Sequence, residues 1–379
     1  DILVVAKIEN SEGVQNFDSI VQAADGIMIA RGDLGVEVPL SHVPRLQKMM
    51  IRKSYLAGKP VVTATQMLES MIHHPRPTRA EASDVANAIY DSTSAVMLSG
   101  ETAIGNFPIE TVNMMRNIVK EAEEDFNYRT FFDQHAPLIY HDVPSAVTLA
   151  TVKTAYSSHA KAIFAFTRGG STARLISRLR PKMPIVAMTS HEHCYHQMAF
   201  SWGVIPYLAE ESHNLIEGFK TISQFALENH LVTHGDLVVL TAGTPFGISG
   251  TTNMMIVESI GNVLVRGHVG FGNYVHGKAT IALSPESIEP YAVRGKLLVI
   301  IKCDESYLPL MQECLGVILQ NHINDLQSEK FAKKAALEMN KPILLRADAA
   351  CSVLKEGQLI TLDPDKALVY KGVVLKEAG

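Results

Sequence analysis

The chain has 379 residues, which at roughly 150 residues per domain favours two or three domains and excludes a single small module. Hydrophobic residues make up 47% and charged residues 19%, an ordinary globular balance far from that of a disordered chain. Lys and Arg number 34 against 39 Asp and Glu, a formal charge of −5 without any basic run able to track a nucleic-acid backbone.

Four strand-length apolar runs, residues 2–8, 26–30, 60–65 and 95–99, punctuate the first hundred residues. Helical patterns lie between them, such as Val14, Phe17, Ile20 and Val21 after Ser11, and Val43, Leu46, Met49 and Met50 after Ser41. Thr78 and Glu81 have capping-box spacing. Alternating strands and helices predict a parallel sheet, either an open doubly wound sheet or an eight-stranded barrel. Polar residues decide between them: Lys7 and Glu9, then Arg31, Gly32 and Asp33, then Thr65 and Gln66, then Ser99, Gly100 and Glu101 each fall at a strand's carboxyl end. Four such clusters in succession fit a barrel mouth. Only four βα units are present where closure needs eight, and Asp1 runs straight into an apolar strand, so we expect the segment to continue a longer chain.

A long helix is predicted over residues 108–126 and a linker over 127–143. Strands at 162–167, 184–188, 203–208, 237–242 and 253–259 then predict a second, doubly wound α/β domain. The longest uncharged stretch, residues 237–257, is broken by Gly243, Pro245, Gly247, Ser249 and Gly250, so it reads as strand, loop and strand rather than a membrane span. Beyond Gly272 the pattern changes to short strands at 278–283, 296–302, 317–319, 342–345, 358–362 and 367–374 with two helices, a third, small α/β domain. The expected division is 1–127, 144–262 and 273–379. Four cysteines lack CxxC spacing and no signal peptide is read ahead of them, which fits a reducing cytoplasm without disulfides.

Lys7 and Glu9 are two apart on a strand and share a face. Alone they would read as a plain ion pair. Asp33 after the next strand changes this, because Glu9 and Asp33 together offer hard oxygen ligands suited to Mg²⁺, or Mn²⁺ in its place. A divalent ion on two carboxylates, a lysine alongside and Thr65 at the following strand end suit phosphoryl transfer, where positioning and charge neutralisation carry the reaction. Thr65 taken alone would be a satisfied strand-end hydroxyl. In the second domain, Thr167, Arg168, Gly169, Gly170, Ser171 and Thr172 follow a strand and precede a helix expected over 173–179, an arrangement able to cradle an anion or to form an ordinary tight turn. His191, His193, Cys194 and His196 suggest zinc, but Thr189 to Glu192 has capping-box spacing and the four spread over several helix faces, so a solvated helix start is expected.

The motifs Ala6-Lys7-Ile8-Glu9-Asn10, Ala30-Arg31-Gly32-Asp33-Leu34-Gly35, Ala64-Thr65-Gln66-Met67-Leu68-Glu69-Ser70-Met71, Pro77-Thr78-Arg79-Ala80-Glu81 and Leu98-Ser99-Gly100-Glu101-Thr102, in this order, resemble pyruvate kinase. The resemblance covers residues 1 to about 262 and implies the C-terminal half of a TIM barrel followed by the family's regulatory domain. It implies transfer of phosphate from phosphoenolpyruvate to ADP, giving ATP and an enolate protonated to pyruvate. Lys7 would stabilise the transferring group, Glu9 and Asp33 would bind Mg²⁺, Gly32 and Asp33 would meet the substrate carboxylate through their amides, Thr65 would lie beside the reacting carbon, and Ser99 would join a proton relay. K⁺ is expected from the family, with ligands outside this chain, and a chain lacking the first third of the enzyme would not be competent alone. The loop from Thr167 to Thr172 would bind a phosphorylated effector under a covering loop that includes Gly247, Ser249, Gly250 and Thr251; a homotetramer is implied, and a module that keeps only effector binding is the rival reading. The third domain resembles the swivelling phosphohistidine domain of phosphoenolpyruvate-utilising enzymes, yet residues 325–336 hold no histidine and His322 precedes the helix, so phosphocarrier chemistry is expected to be lost.

Overall fold

The computed structural model describes residues 2–138, 142–212, 214–244 and 251–374. It divides into two compact units, one of residues 1–232 with 237–258 and the other of residues 233–236 with 259–379.

In the first unit, strand β1 (Val5–Ile8) is followed by helices α1 (Ser11–Gln15) and α2 (Phe17–Ala23). Next come β2 (Gly26–Ala30), α3 (Arg31–Glu37), α4 (Val43–Leu56), β3 (Val61–Ala64), α5 (Arg79–Tyr90), β4 (Ala95–Val96), α6 (Gly100–Ala103) and α7 (Pro108–Asp125). The four strands pair in sequence order and in parallel, with Lys7 opposite Met28, Ala30 opposite Ala64 and Thr63 opposite Val96. Their carboxyl ends therefore lie along one edge. Ile27, Ile29, Val61 and Ala64 are fully buried beneath Leu34, Met50 and Ile51, the apolar faces of α3 and α4. β3 is buried at every position, as expected of a strand covered on both faces.

Residues 127–138, expected as a linker, contain helix α8 (Tyr128–His135), capped by the Asn127 side chain accepting from the Thr130 amide. Phe131 belongs to the core beneath the four-stranded sheet and Phe132 to the next core along. Desolvating two neighbouring aromatic rings into different cores outweighs the polar character that made the stretch read as a linker.

α9 (Val143–Ser157) leads into β5 (Ala162–Phe166), α10 (Ser171–Ser177), β6 (Ile185–Thr189), α11 (Glu192–Met198), β7 (Val204–Leu208), α12 (Leu215–Glu228), β8 (Leu237–Gly243) and β9 (Thr252–Ser259). The strand order is β7-β6-β5-β8-β9, and β5 pairs in parallel with both β6 and β8. The chain winds outward from β5, returns to its other side, and so places a switch point there. α10 starts two residues earlier than the predicted helix, directly after Gly170, whose left-handed φ of 79° makes the turn.

The second unit holds an eight-stranded sheet with a parallel centre, β12 (Val275–Ala282), β13 (Lys296–Ile300), β14 (Gly316–Leu319) and β15 (Ile343–Leu345), once β10 (Val263–Arg266) and β11 (Val269–Phe271) have entered it ahead of them. Antiparallel β16 (Leu359–Asp363) and β17 (Leu368–Lys371) extend one side beyond β12, with β10 outermost, and β11 closes the other beyond β15. Residues 263–271, which the sequence pattern placed before the third domain, are thus strands of its sheet. α13 (Leu308–Glu313), α14 (Leu326–Glu338) and α15 (Ala350–Val353) complete the unit. Among the described residues no helix is long and apolar enough to cross a membrane.

Candidate active site

Lys7 and Glu9 flank the end of β1, and Asp33 lies in the first turn of α3, which starts directly where β2 stops. Because the two strands are in parallel register, both acids come to the same ammonium: Lys7 Nζ pairs with Glu9 and lies 3.0 Å from Asp33 Oδ2. The three side chains are 41–59% exposed, and ion pairs this open to solvent contribute little to stability, so the fold gives no reason for the cluster. Hydrogen bonds to Glu9 and then Asp33 hold the Lys7 ammonium above its ordinary range, so it is cationic throughout neutral pH.

Thr65 directly follows β3 with φ +69°, and Gln66 comes next at +53°. Two successive left-handed residues other than glycine are strained and need outside support. Arg31 supplies it: its Nη2 donates to the Thr65 carbonyl at 2.8 Å, its Nε to the Ala64 carbonyl at 3.3 Å, and Asp84 anchors its Nη1 at 2.7 Å. The turned backbone carries the Thr65 hydroxyl across to the next strand end, where Oγ1 accepts from the Gly32 amide at 2.8 Å. The Gly32 amide, expected to face a substrate carboxylate, is engaged by Thr65 here. Sequence reading treated Arg31 as one polar residue among several. Its role as a brace follows from pairing with Asp84, 53 positions away, for which the sequence carries no local signal.

Ser99 caps α6, and its amide donates to Glu101 Oε2 at 2.7 Å. Glu101 is buried, and its other oxygen accepts from the Leu68 amide, so it ties the ends of β3 and β4 together. The structure therefore brings Lys7, Glu9 and Asp33 into direct contact, joins Gly32 to Thr65, and sets Ser99 on the same sheet edge. Two carboxylates converging on one point are the donor set Mg²⁺ takes when substrate and water complete its shell, so Glu9 and Asp33 fit that ion. Among the described residues no group of three or more His, Cys, Asp and Glu side chains is arranged to hold a metal, which separates this pair from a protein-enclosed cation cage.

In the loop before α10, the Gly170 amide donates to Thr167 Oγ1 at 3.0 Å, and Arg174 reaches back to the Gly169 carbonyl at 3.1 Å. Arg168 and Gly169 are exposed, and Ser171 is partly so. Thr172 points elsewhere: the residue is 4% exposed and its hydroxyl is bonded to that of Thr252 at 2.6 Å. A cradle here would use the loop amides, Arg168 and Ser171 rather than Thr172. Thr251 sits against Gly243, while Gly247, Ser249 and Gly250 lie outside the described residues. The Thr189 hydroxyl accepts from the His191 amide and no side chain caps α11, so the capping box predicted there does not form; the strand β6 runs through Thr189 and holds it back from the helix.

Residues 1–112 match the family model described as the pyruvate kinase barrel domain, and residues 145–258 the one described as the pyruvate kinase alpha/beta domain. The chain is 41% identical over 372 residues to a pyruvate kinase of Geobacillus stearothermophilus, covering 98% of this chain and 62% of that protein. It is 39% identical over 373 residues to one of Sporosarcina psychrophila, covering 98% and 63% respectively. The crystal structure of a pyruvate kinase from Cryptosporidium parvum matches with a TM-score of 0.66 at 41% identity, over 68% of this chain and 52% of that one. The chain thus spans a little under two thirds of the length of these two bacterial relatives.

Proposed function

Taking as premise that this chain belongs to the pyruvate kinase family, we propose that its four-stranded sheet is part of a catalytic barrel in which phosphate passes from phosphoenolpyruvate to ADP. The observation that carries this reading is the meeting of Glu9 and Asp33, from adjacent strand ends, on the one ammonium of Lys7.

Glu9 and Asp33 would hold Mg²⁺, which when bound neutralises phosphoryl charge and fixes the donor oxygens in place. Lys7 supplies the neighbouring positive charge, placed where negative charge collects on the group in flight. Its elevated pKa keeps it from acting as a base and suits it to electrostatic work. The Gly32 amide and the Thr65 hydroxyl, already oriented by each other and by Arg31, would turn to the substrate carboxylate and the reacting carbon. Ser99 is the candidate for passing a proton to the enolate.

The loop from Thr167 to Thr172 is proposed as the site of a phosphorylated effector, supported by its place after β5 at the switch point of the sheet. A homotetramer and a cytoplasmic setting follow from the same family reading, and the cysteines are all free thiols. In the C-terminal unit, α14 carries no histidine, which supports a structural or assembly role over phosphocarrier chemistry.

The test is Lys7→Met in the full-length protein that contains this chain, measured as pyruvate formed from phosphoenolpyruvate and ADP. Loss of one charge-stabilising group predicts a fall in kcat of about 10²–10³ with folding unchanged. Turnover equal to the parent's would refute the role given to Lys7. Sugar-phosphate binding by a protein that shows no turnover even before mutation would favour the effector-binding module instead.

A further inference from the structure

α10 and the turn after it send three arginines, Arg174, Arg178 and Arg180, toward the four-stranded sheet within the first unit. They line a cleft with Lys59, Tyr55 and Ser94, and no carboxylate contributes to its wall. The cleft holds about 230 Å³ of empty space and is partly open to solvent.

Three of the four cations have other company. Arg174 donates to the Gly169 carbonyl and feels the Asp25 carboxylate. Arg178 donates to Ser145 Oγ at 2.7 Å and interacts with Asp142. Lys59 donates to the Ala24 carbonyl at 2.5 Å. Arg180 differs from the other two arginines in having no carboxylate near it, although Nε of Arg178 is, like its own, buried without a hydrogen bond. It is 2% exposed, and its guanidinium donates only to neutral acceptors: Ser177 O at 2.7 Å, Ser92 O at 2.9 Å and Ser94 Oγ at 3.3 Å. It lies 4.9 Å over the Trp202 ring. Its Nε is buried with no hydrogen-bond partner, and among the described residues no carboxylate pairs with it. A guanidinium stays charged in proteins. Burying it without a counter-charge, among three further cations, is costly on two counts, the lost solvation and the mutual repulsion.

A water molecule would satisfy Nε but leave the charge. A small anion answers both. We infer that this cleft binds a small inorganic anion, with chloride as the probe ion, which accepts the Arg180 Nε–H and is held by the surrounding cations. The site lies apart from Lys7, Glu9 and Asp33 and does not depend on their assignment.

Thermal unfolding of the full chain in sodium gluconate and in sodium chloride at constant ionic strength tests this, together with anomalous diffraction from a bromide-soaked crystal. Chloride at ten times its dissociation constant is expected to raise Tm by about 3 °C, the linkage expected of a ligand that binds only the folded state. Bromide should appear within hydrogen-bonding reach of Arg180 Nε. In Arg180→Met the chloride-dependent rise should vanish. A map with water alone at Nε overturns the proposal, as does a chloride effect that survives Arg180→Met. If that variant does not fold, the bromide map of the unmutated protein decides.

Discussion

Glu81 receives four donors drawn from two separate places in the chain. The Thr78 amide and hydroxyl come from its own helix start, and the Ser70 amide and hydroxyl from the turn after β3. Burial alone would push its carboxyl up, but the bonds from Ser70 and Thr78 outweigh it and hold the group below its usual range. A depressed folded pKa means that the stabilisation is present above the unfolded value of 4.5 and is lost as pH falls through the lower folded value. Glu81→Gln keeps the shape and removes the charge. It is expected to cost about 1 kcal/mol at pH 7, a gap that closes on acidification. Urea unfolding of both proteins at pH 7, 5 and 3 measures this, and a gap that stayed constant down to pH 3 would assign the effect to shape. This capping box was readable from the Thr78-Arg79-Ala80-Glu81 spacing because both partners lie within one turn. The Ser70 bonds were not, since they depend on where β3 deposits its following turn. The same boundary separates Lys7 with Glu9, which alternation along one strand places on a common face, from Arg31 with Asp84, which only the folded sheet brings together.

Local patterns were informative at the scale of elements wherever one element buries one face. β2 and β3 were legible as unbroken apolar runs because nearly every one of their residues is buried. α8 was misread as linker although Tyr128, Phe131, Phe132 and His135 have helical spacing behind an Asn127 cap, the signal that would have found it. Its short length and polar surroundings hid an aromatic cluster completed from elsewhere. Phe131 meets Tyr55 of α4 at 5.4 Å, edge on, and Phe126 at 5.6 Å, while Phe126 in turn meets Trp202 at 5.8 Å. Phe132 contacts Tyr156 of α9. If α8 packs as a core element, Phe131→Ala should cost about 3–4 kcal/mol, the loss expected for an aromatic ring at a buried site. A true linker position would lose under about 0.5 kcal/mol, as surface sites do. Chemical denaturation of the variant against the parent distinguishes the two values.

The two units have separate hydrophobic cores, and this bears on how the whole molecule unfolds. The C-terminal unit buries Leu298, Ile300, Val317 and Leu319 on one face of its sheet and Leu297, Val299, Ile318 and Leu344 on the other, with every one of these residues at 0% exposure. A sheet filled on both faces needs no neighbour to bury its central strands, so the unit should unfold cooperatively by itself. Sequence pattern located the strands at the centre of that sheet but neither their parallel pairing nor the entry of β10 and β11, because short edge strands lack the continuous apolar run of buried ones. Differential scanning calorimetry of the chain is therefore expected to show two transitions. Ile318→Ala, which removes a fully buried side chain from β14, should lower one of them by several degrees, equivalent to about 3 kcal/mol, and leave the other in place. A single transition that shifts as a whole would mean that the two cores melt as one cooperative body. The Lys7, Glu9 and Asp33 cluster belongs to the first unit, so Mg²⁺ with phosphoenolpyruvate should raise the transition that Ile318→Ala leaves untouched. Movement of the same transition by both would contradict either the division into units or the placement of the site.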